Sequence, residues 1–251
     1  MEGRNNKLRL FFVQKKKGHI MEGKIITFLG PDHKVGTTTI AKAVAQDIAR
    51  KNPEKKVLFI DAEGEYLGMW DAGIPKILED KQDNIASIMK MARQKDNLYV
   101  IKSTRAENAA FHPDMAEFFI QTLKDSSGMD FIICAAGEIE HSMALGSIFA
   151  ADAVYVVLTH GPYCEGCLRR FEWMRCLYEK LAINIKGLII NRYDKLSAYS
   201  PMYIMERLQV DESMLYKVRT AKNIDRDRFS LAEKDNLAFS KDIGMLVKEI
   251  I

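Results

Sequence analysis

Six short apolar runs set the limits on how this chain can fold. They are IITFL in 25–29, VLFID in 57–61, LYVIKS in 98–103, DFIICA in 130–135, AVYVVLT in 153–159 and KGLIIN in 186–191. None alternates apolar with polar, as a strand with one wet face would. Near-continuous apolar strands belong to parallel sheets covered on both faces. Segments of helical periodicity lie between the runs. The clearest spans about 38–51, with Ile40, Ala43, Val44 and Ile48 on one face. Further helices are predicted over about 83–94, 113–125, 137–151, 167–182 and 236–250. Pro113 in a first turn marks the start of one of them, and residues 201–209 and 212–216 are short closing pieces. The expectation is an α/β three-layer sandwich, with a mostly parallel central sheet and helices on both faces. In such sheets ligands bind at the carboxyl ends of the strands.

The 251 residues suit one large domain, expected over 21–251, preceded by a basic, flexible extension over 1–20. That extension holds Arg4, Lys7, Arg9, Lys15, Lys16 and Lys17 against Glu2, so the rest of a chain with net charge +3 carries −2. A mildly acidic body argues against a broad nucleic-acid face. The basic segment from Lys217 to Arg228 keeps DNA as a weaker option. No apolar run approaches the roughly 20 residues that span a bilayer. The last helix has a balanced polar face (Lys241, Asp242, Lys248, Glu249), which suits packing on the sheet better than membrane insertion. A cytoplasmic location is expected, with recruitment to a pole or the membrane by partners.

The stretch KIITFLGPDHKVGTTT, Lys24 to Thr39, reads as strand, tight loop and helix start. That geometry gathers backbone N–H groups and a helix N-terminus around an anion. It only half matches the phosphate-loop pattern G-x-x-x-x-G-K-[ST]. Gly36 and the following hydroxyls are present. Thr37 stands where lysine is expected, and Gly30 comes one place early. The residues expected to surround phosphate are Gly30, Lys34, Val35, Gly36, Thr37, Thr38 and Thr39. Thr38 is the candidate Mg²⁺ ligand, and Thr37 and Thr39 are candidate caps.

GPDHKVGTTTIAKAVA, VLFIDAE, DFIICAAG and GLIINRYD occur in the order and at roughly the spacing of the MinD/ParA group of P-loop ATPases. The chain resembles that group over about 24–216. The group's loop is K-G-G-x-G-K-[ST]-[ST]. Laid on this chain, its two lysines fall on Asp32 and Thr37, which leaves Lys34 as the loop's only cation. The resemblance places on Asp61 the acid that orients water, with a possible metal role, and Glu63 follows it. It places the first switch in Gly64–Gly73. The acid expected on the Mg²⁺ side falls on Ala135, with Glu138 three residues on. Asn191 and Arg192 fall in the segment that reads the adenine edge. Two separate losses, at Thr37 and Ala135, match the altered TadZ/CpaE-like pilus-positioning relatives better than MinD itself.

The resemblance implies ATP or ADP with Mg²⁺, a homodimer formed through the nucleotide face, and protein partners in a pilus, secretion or partition system. The expected function is an ATP-binding positioning or assembly factor with weak or absent hydrolysis. Two alternatives stay open. One is an active partition-type ATPase in which Lys34 and Glu138 supply displaced charges. The other is an interaction scaffold that has lost nucleotide altogether. Cys164 and Cys167 form a C-x-x-C pair with His160 and Cys176 near in sequence, so a metal or redox site is a minor further possibility.

Overall fold

The structure is a computed structural model. It describes residues 23–62, 85, 89–90, 92–102, 112–138, 142–222 and 236–251. Eight strands form one sheet: β1 (Lys24–Leu29), β2 (Val57–Asp61), β3 (Arg93–Lys95), β4 (Leu98–Lys102), β5 (Phe131–Gly137), β6 (Ala153–Thr159), β7 (Ile185–Asn191) and β8 (Leu215–Val218). Their order is β3-β4-β2-β5-β1-β6-β7-β8. Every pairing is parallel except β3 with β4. The described α-helices are α1 (Thr37–Lys51), α2 (Pro113–Ser126), α3 (Ser142–Phe149), α4 (Cys164–Lys180), α5 (Pro201–Leu208) and α6 (Leu237–Ile250).

β1 lies in the middle and is buried on both faces. Ile26 and Phe28 share one apolar cluster with Ile40, Val44 and Ile48 of α1 and with Phe239 and Ile243 of α6. Ile25 points the other way, with Phe119, Ile120 and Leu123 of α2. On that second side Thr27 donates its hydroxyl to the Ser147 carbonyl of α3 at 2.7 Å. This double cover explains why the central strands read as unbroken apolar runs.

Several boundaries differ from the sequence reading. Gly137, expected to open a helix over 137–151, instead ends β5, and the described helix is Ser142–Phe149. Residues 93 and 94, expected at the end of a helix over about 83–94, instead join Lys95 in the antiparallel edge strand β3. The turn after it holds Asn97, whose side-chain amide lies 2.7–3.0 Å from the carbonyls of Ala49, Asn52 and Lys55. It thereby ties the end of α1 to the sheet edge. β7 is not the last strand, because β8 pairs with it in parallel. Finally, α4 starts at Cys164, three residues earlier than its apolar pattern suggests.

Most other boundaries follow local rules. Ser200 caps α5 by accepting from the Tyr203 N–H, with Pro201 in the first turn. At the end of α6 the Ile250 carbonyl accepts from the Lys24 ammonium, so the last helix is fastened to the first described strand. The Gly64–Gly73 segment, Glu63 and residues 1–20 lie outside the described residues.

Candidate functional site

The loop after β1 closes over its own first residue. The Gly30 N–H donates to the Gly137 carbonyl at the end of β5, at 2.9 Å. A methyl group on Gly30 would stand 2.5 Å from the Val35 side chain and 2.7 Å from the Thr37 hydroxyl. Val35 and Thr37 are both buried. Thr37 therefore fills the loop's interior, at the place where the phosphate-loop pattern has lysine. Lys34 (φ 59°) and Gly36 (φ 98°) turn the backbone through the left-handed region. Such turns aim successive N–H groups into a concavity that suits an anion.

Gly36 is the N-cap of α1, with no side-chain cap. The first intrahelical bond runs from Ile40 N–H to Gly36 C=O at 3.0 Å. The helix therefore starts at Gly36, so the backbone of Gly36, Thr37, Thr38 and Thr39 makes up its first turn. Capping by Thr37 or Thr39, expected from the sequence, does not occur, because glycine itself takes the cap position. A helix N-terminus at the end of such a loop suits a phosphate group through its dipole.

The loop is fastened from the far side by β7. Asn191 is buried, and its Nδ2 donates to the Val35 carbonyl at 2.7 Å. Its Oδ1 accepts from the Arg192 N–H at 2.9 Å. Gly36 is required here: a Cβ would lie 2.1 Å from Asn191 Nδ2. Arg192 (φ 59°) donates from Nη2 to the Lys34 carbonyl at 3.0 Å and from Nη1 to the Thr159 hydroxyl at 3.4 Å. The amide expected to read a base edge therefore also braces the loop. A second N–H and a second lone pair remain on it for a ligand.

His160, at the end of β6, orders the segment that follows Asn191. Its Nδ1 accepts from the Asp194 N–H at 3.0 Å, and Tyr199 O lies 2.6 Å from its Nε2. A carbonyl only accepts, so the proton sits on Nε2. The ring also packs on Tyr193, with centroids 5.4 Å apart.

The acidic side of the crest is different. Asp61 ends β2, is buried, and stands in register with Ala135 of β5 and Lys102 of β4. Ala135 is wholly buried and brings no carboxylate. Glu138 is buried just beyond β5, and its carboxylate faces the loop tip and α4 instead. His33 Nε2 is 3.3 Å from one oxygen, and Arg170 Nη1 is 3.7 Å from the other. Arg170 also reaches Asp32 at 3.4 Å. Lys34 is exposed and makes no ion pair among the described residues.

A scan against protein-family models and a search of curated proteins find no match. Solved structures do match. A ParA family ATPase from Chlorobium tepidum TLS superposes with TM-score 0.71 at 17% identity, covering 92% of this chain and 100% of that one. A chain of the MinC:MinD cell division protein complex of Aquifex aeolicus gives 0.70 at 18%, covering 91% and 97%. MinD of Pyrococcus horikoshii OT3, complexed with Mg-ADP, gives 0.67 at 16%, covering 91% and 97%. The fold is that of the MinD and ParA ATPases.

Within this MinD/ParA fold the described residues assemble most of the predicted set. Gly30, Lys34, Val35, Gly36 and Thr37–Thr39 form one loop and helix start, and Asn191 and Arg192 touch that loop directly. Asp61 lies two strands from β1, across β5. The cysteine cluster does not assemble. Cys164 and Cys167 are buried free thiols, Cys176 is exposed, and both nitrogens of His160 are engaged. Burial pushes the Cys164 thiol up to about 11 and the Cys167 thiol up to about 12. Among the described residues, no group of three or more His, Cys, Asp or Glu could hold a metal ion.

Sequence reasoning missed the Asp32–Arg170–Glu138 network and the His160 brace. Neither has a local signature, since the partners are far apart in the chain.

Proposed function

We propose that this chain is an ATP-binding positioning or assembly factor of the MinD/ParA kind, with weak or absent hydrolysis, akin to the TadZ/CpaE-like relatives. One observation carries the reading: the loop turns through Lys34 and Gly36 into a helix N-terminus and is braced by Asn191, while Thr37 and Ala135 stand where the resemblance would put two charges. Gly36, Thr37, Thr38 and Thr39 would hold the phosphates through their N–H groups. Thr38 would offer its hydroxyl to Mg²⁺, and Asn191 and Arg192 would flank the base. Bound Mg²⁺ would neutralise phosphate charge that the missing lysine no longer meets. Asp61 is the candidate acid for orienting water. Phosphoryl transfer depends on positioning and on neutralising spread charge. Losing one such donor typically costs on the order of 10²–10³ in rate.

The kinship of fold supports a homodimer formed through the nucleotide face, with protein partners in a pilus, secretion or partition system. The similar Aquifex structure is itself a MinC:MinD complex. Residues 1–20 would form a basic arm beside a single domain over 21–251. Among the described residues no helix is long and apolar enough to cross a membrane, which favours recruitment by partners over insertion.

The active-ATPase alternative needs Lys34 and Glu138 as stand-ins. Glu138 already faces His33 and Arg170, which favours the first reading. Phosphate release under saturating MgATP tests it. The expected rate is at least about 10²-fold below that of an intact ParA-type enzyme. Comparable turnover, abolished by Asp61→Ala, would overturn the proposal.

A further inference from the structure

Two carboxylates, Asp32 at the loop tip and Glu138 beyond β5, border a loop read as a polyphosphate cradle. Left alone, they would repel the ligand. Arg170 of α4 lies 3.4 Å from the first and 3.7 Å from the second. His33 closes the circuit at 3.3 Å from Glu138. Glu138 is 7% exposed and the Arg170 side chain 56%, so the acid is fixed in the protein while the cation approaches from its surface. Charges under low exposure act over longer distances than they do in water.

We infer that Arg170 is a positioning residue for the nucleotide site: it balances Asp32 and Glu138 and so lets a polyphosphate enter a loop without its usual lysines. The inference rests on the nucleotide-binding reading above and adds a residue to it. Arg170 acts through the two acids rather than on the phosphate. Removing it therefore harms binding only while those acids keep their charge, and the effect grows with ligand charge.

The test is calorimetry on the full chain with MgATP, MgADP and inorganic pyrophosphate. Arg170→Gln weakens MgATP binding by about tenfold or more and MgADP binding by less. Arg170→Lys keeps most of the affinity. Adding Asp32→Asn and Glu138→Gln to Arg170→Gln restores affinity to within about threefold of the parent. Asp32→Asn with Glu138→Gln on the parent chain binds MgATP more tightly than the parent, which keeps the test open should Arg170→Gln fold poorly. Unchanged binding in Arg170→Gln, or a triple variant as weak as Arg170→Gln, would overturn the inference. A parent chain that binds pyrophosphate but no nucleotide would overturn the nucleotide reading instead, and the same series then reads out in pyrophosphate. A parent chain that binds none of the three overturns both.

Discussion

At the ends of β6 and β7, each polar side chain has a partner within the fold: Asn191 holds Val35, Arg192 holds Lys34 and Thr159, and His160 holds Asp194 and Tyr199. Around the ends of β5 and β1, Ala135 and Thr37 stand where the resemblance would put charge, and the nearby acids Asp32 and Glu138 pair with Arg170 of α4. The two halves of one crest have thus separated shape from charge. Backbone N–H groups can grip a phosphate without any lysine, because their direction is set by the chain and not by a side chain. Turnover also needs positioned charge on the transferring phosphoryl group. The proposed function, phosphate grip kept while hydrolysis is weak or absent, rests on this contrast.

The largest effect should come where the two halves touch. Gly36→Val places a side chain against Asn191 Nδ2 and forces a β-branched residue to φ 98°. Strain of this kind costs about 1–3 kcal/mol, and the lost Asn191 bond adds to it. A total loss of about 3 kcal/mol or more in urea unfolding is expected, and a loss under about 1 would break the claim that the halves interlock. Asn191→Ala comes next. It leaves the buried Val35 carbonyl unmet, at about 1–3 kcal/mol, and should weaken MgATP binding as well. Stability falling without any change in affinity would make Asn191 a brace alone. Arg192→Ala should cost about 1 kcal/mol or less, since its guanidinium works at the exposed rim. Denaturation and calorimetry on the same sample separate its two contributions.

The smallest effect tests the cysteine pair beside the well-knit half. The thiolate is the reactive form, so thiols raised to about 11 and about 12 stay inert through neutral and mildly alkaline pH. Their reactivity should rise only as pH nears those values. Alkylation at pH 8 should label exposed Cys176 and spare Cys134, Cys164 and Cys167 in the native protein. Rapid labelling of the pair, or protection of it by zinc, would reopen the metal and redox reading.

The central sheet was legible because burial on both faces writes itself into unbroken apolar runs such as DFIICA. Edges were not. β3 is three residues containing two cations, and β8 is four residues with a half-buried tyrosine and an exposed lysine, so neither produces a run. The loop was legible in its glycines and hydroxyls, whose spacing is local. Its bracing was not, because Asn191 meets Val35 across 156 positions and Arg170 meets Asp32 from another helix. The sequence could show that lysine was absent at Thr37. Only the fold shows that Thr37 fills the loop's interior over Gly30.

One calorimetric titration of the full chain with MgATP tests the central claim most directly, because it records binding heat and any continuing heat of hydrolysis together. The account predicts saturable binding at micromolar concentrations, a baseline that returns after each injection, and loss of the binding heat in Thr38→Ala. A sustained hydrolysis heat after each injection, or no binding heat from the parent chain, would contradict it.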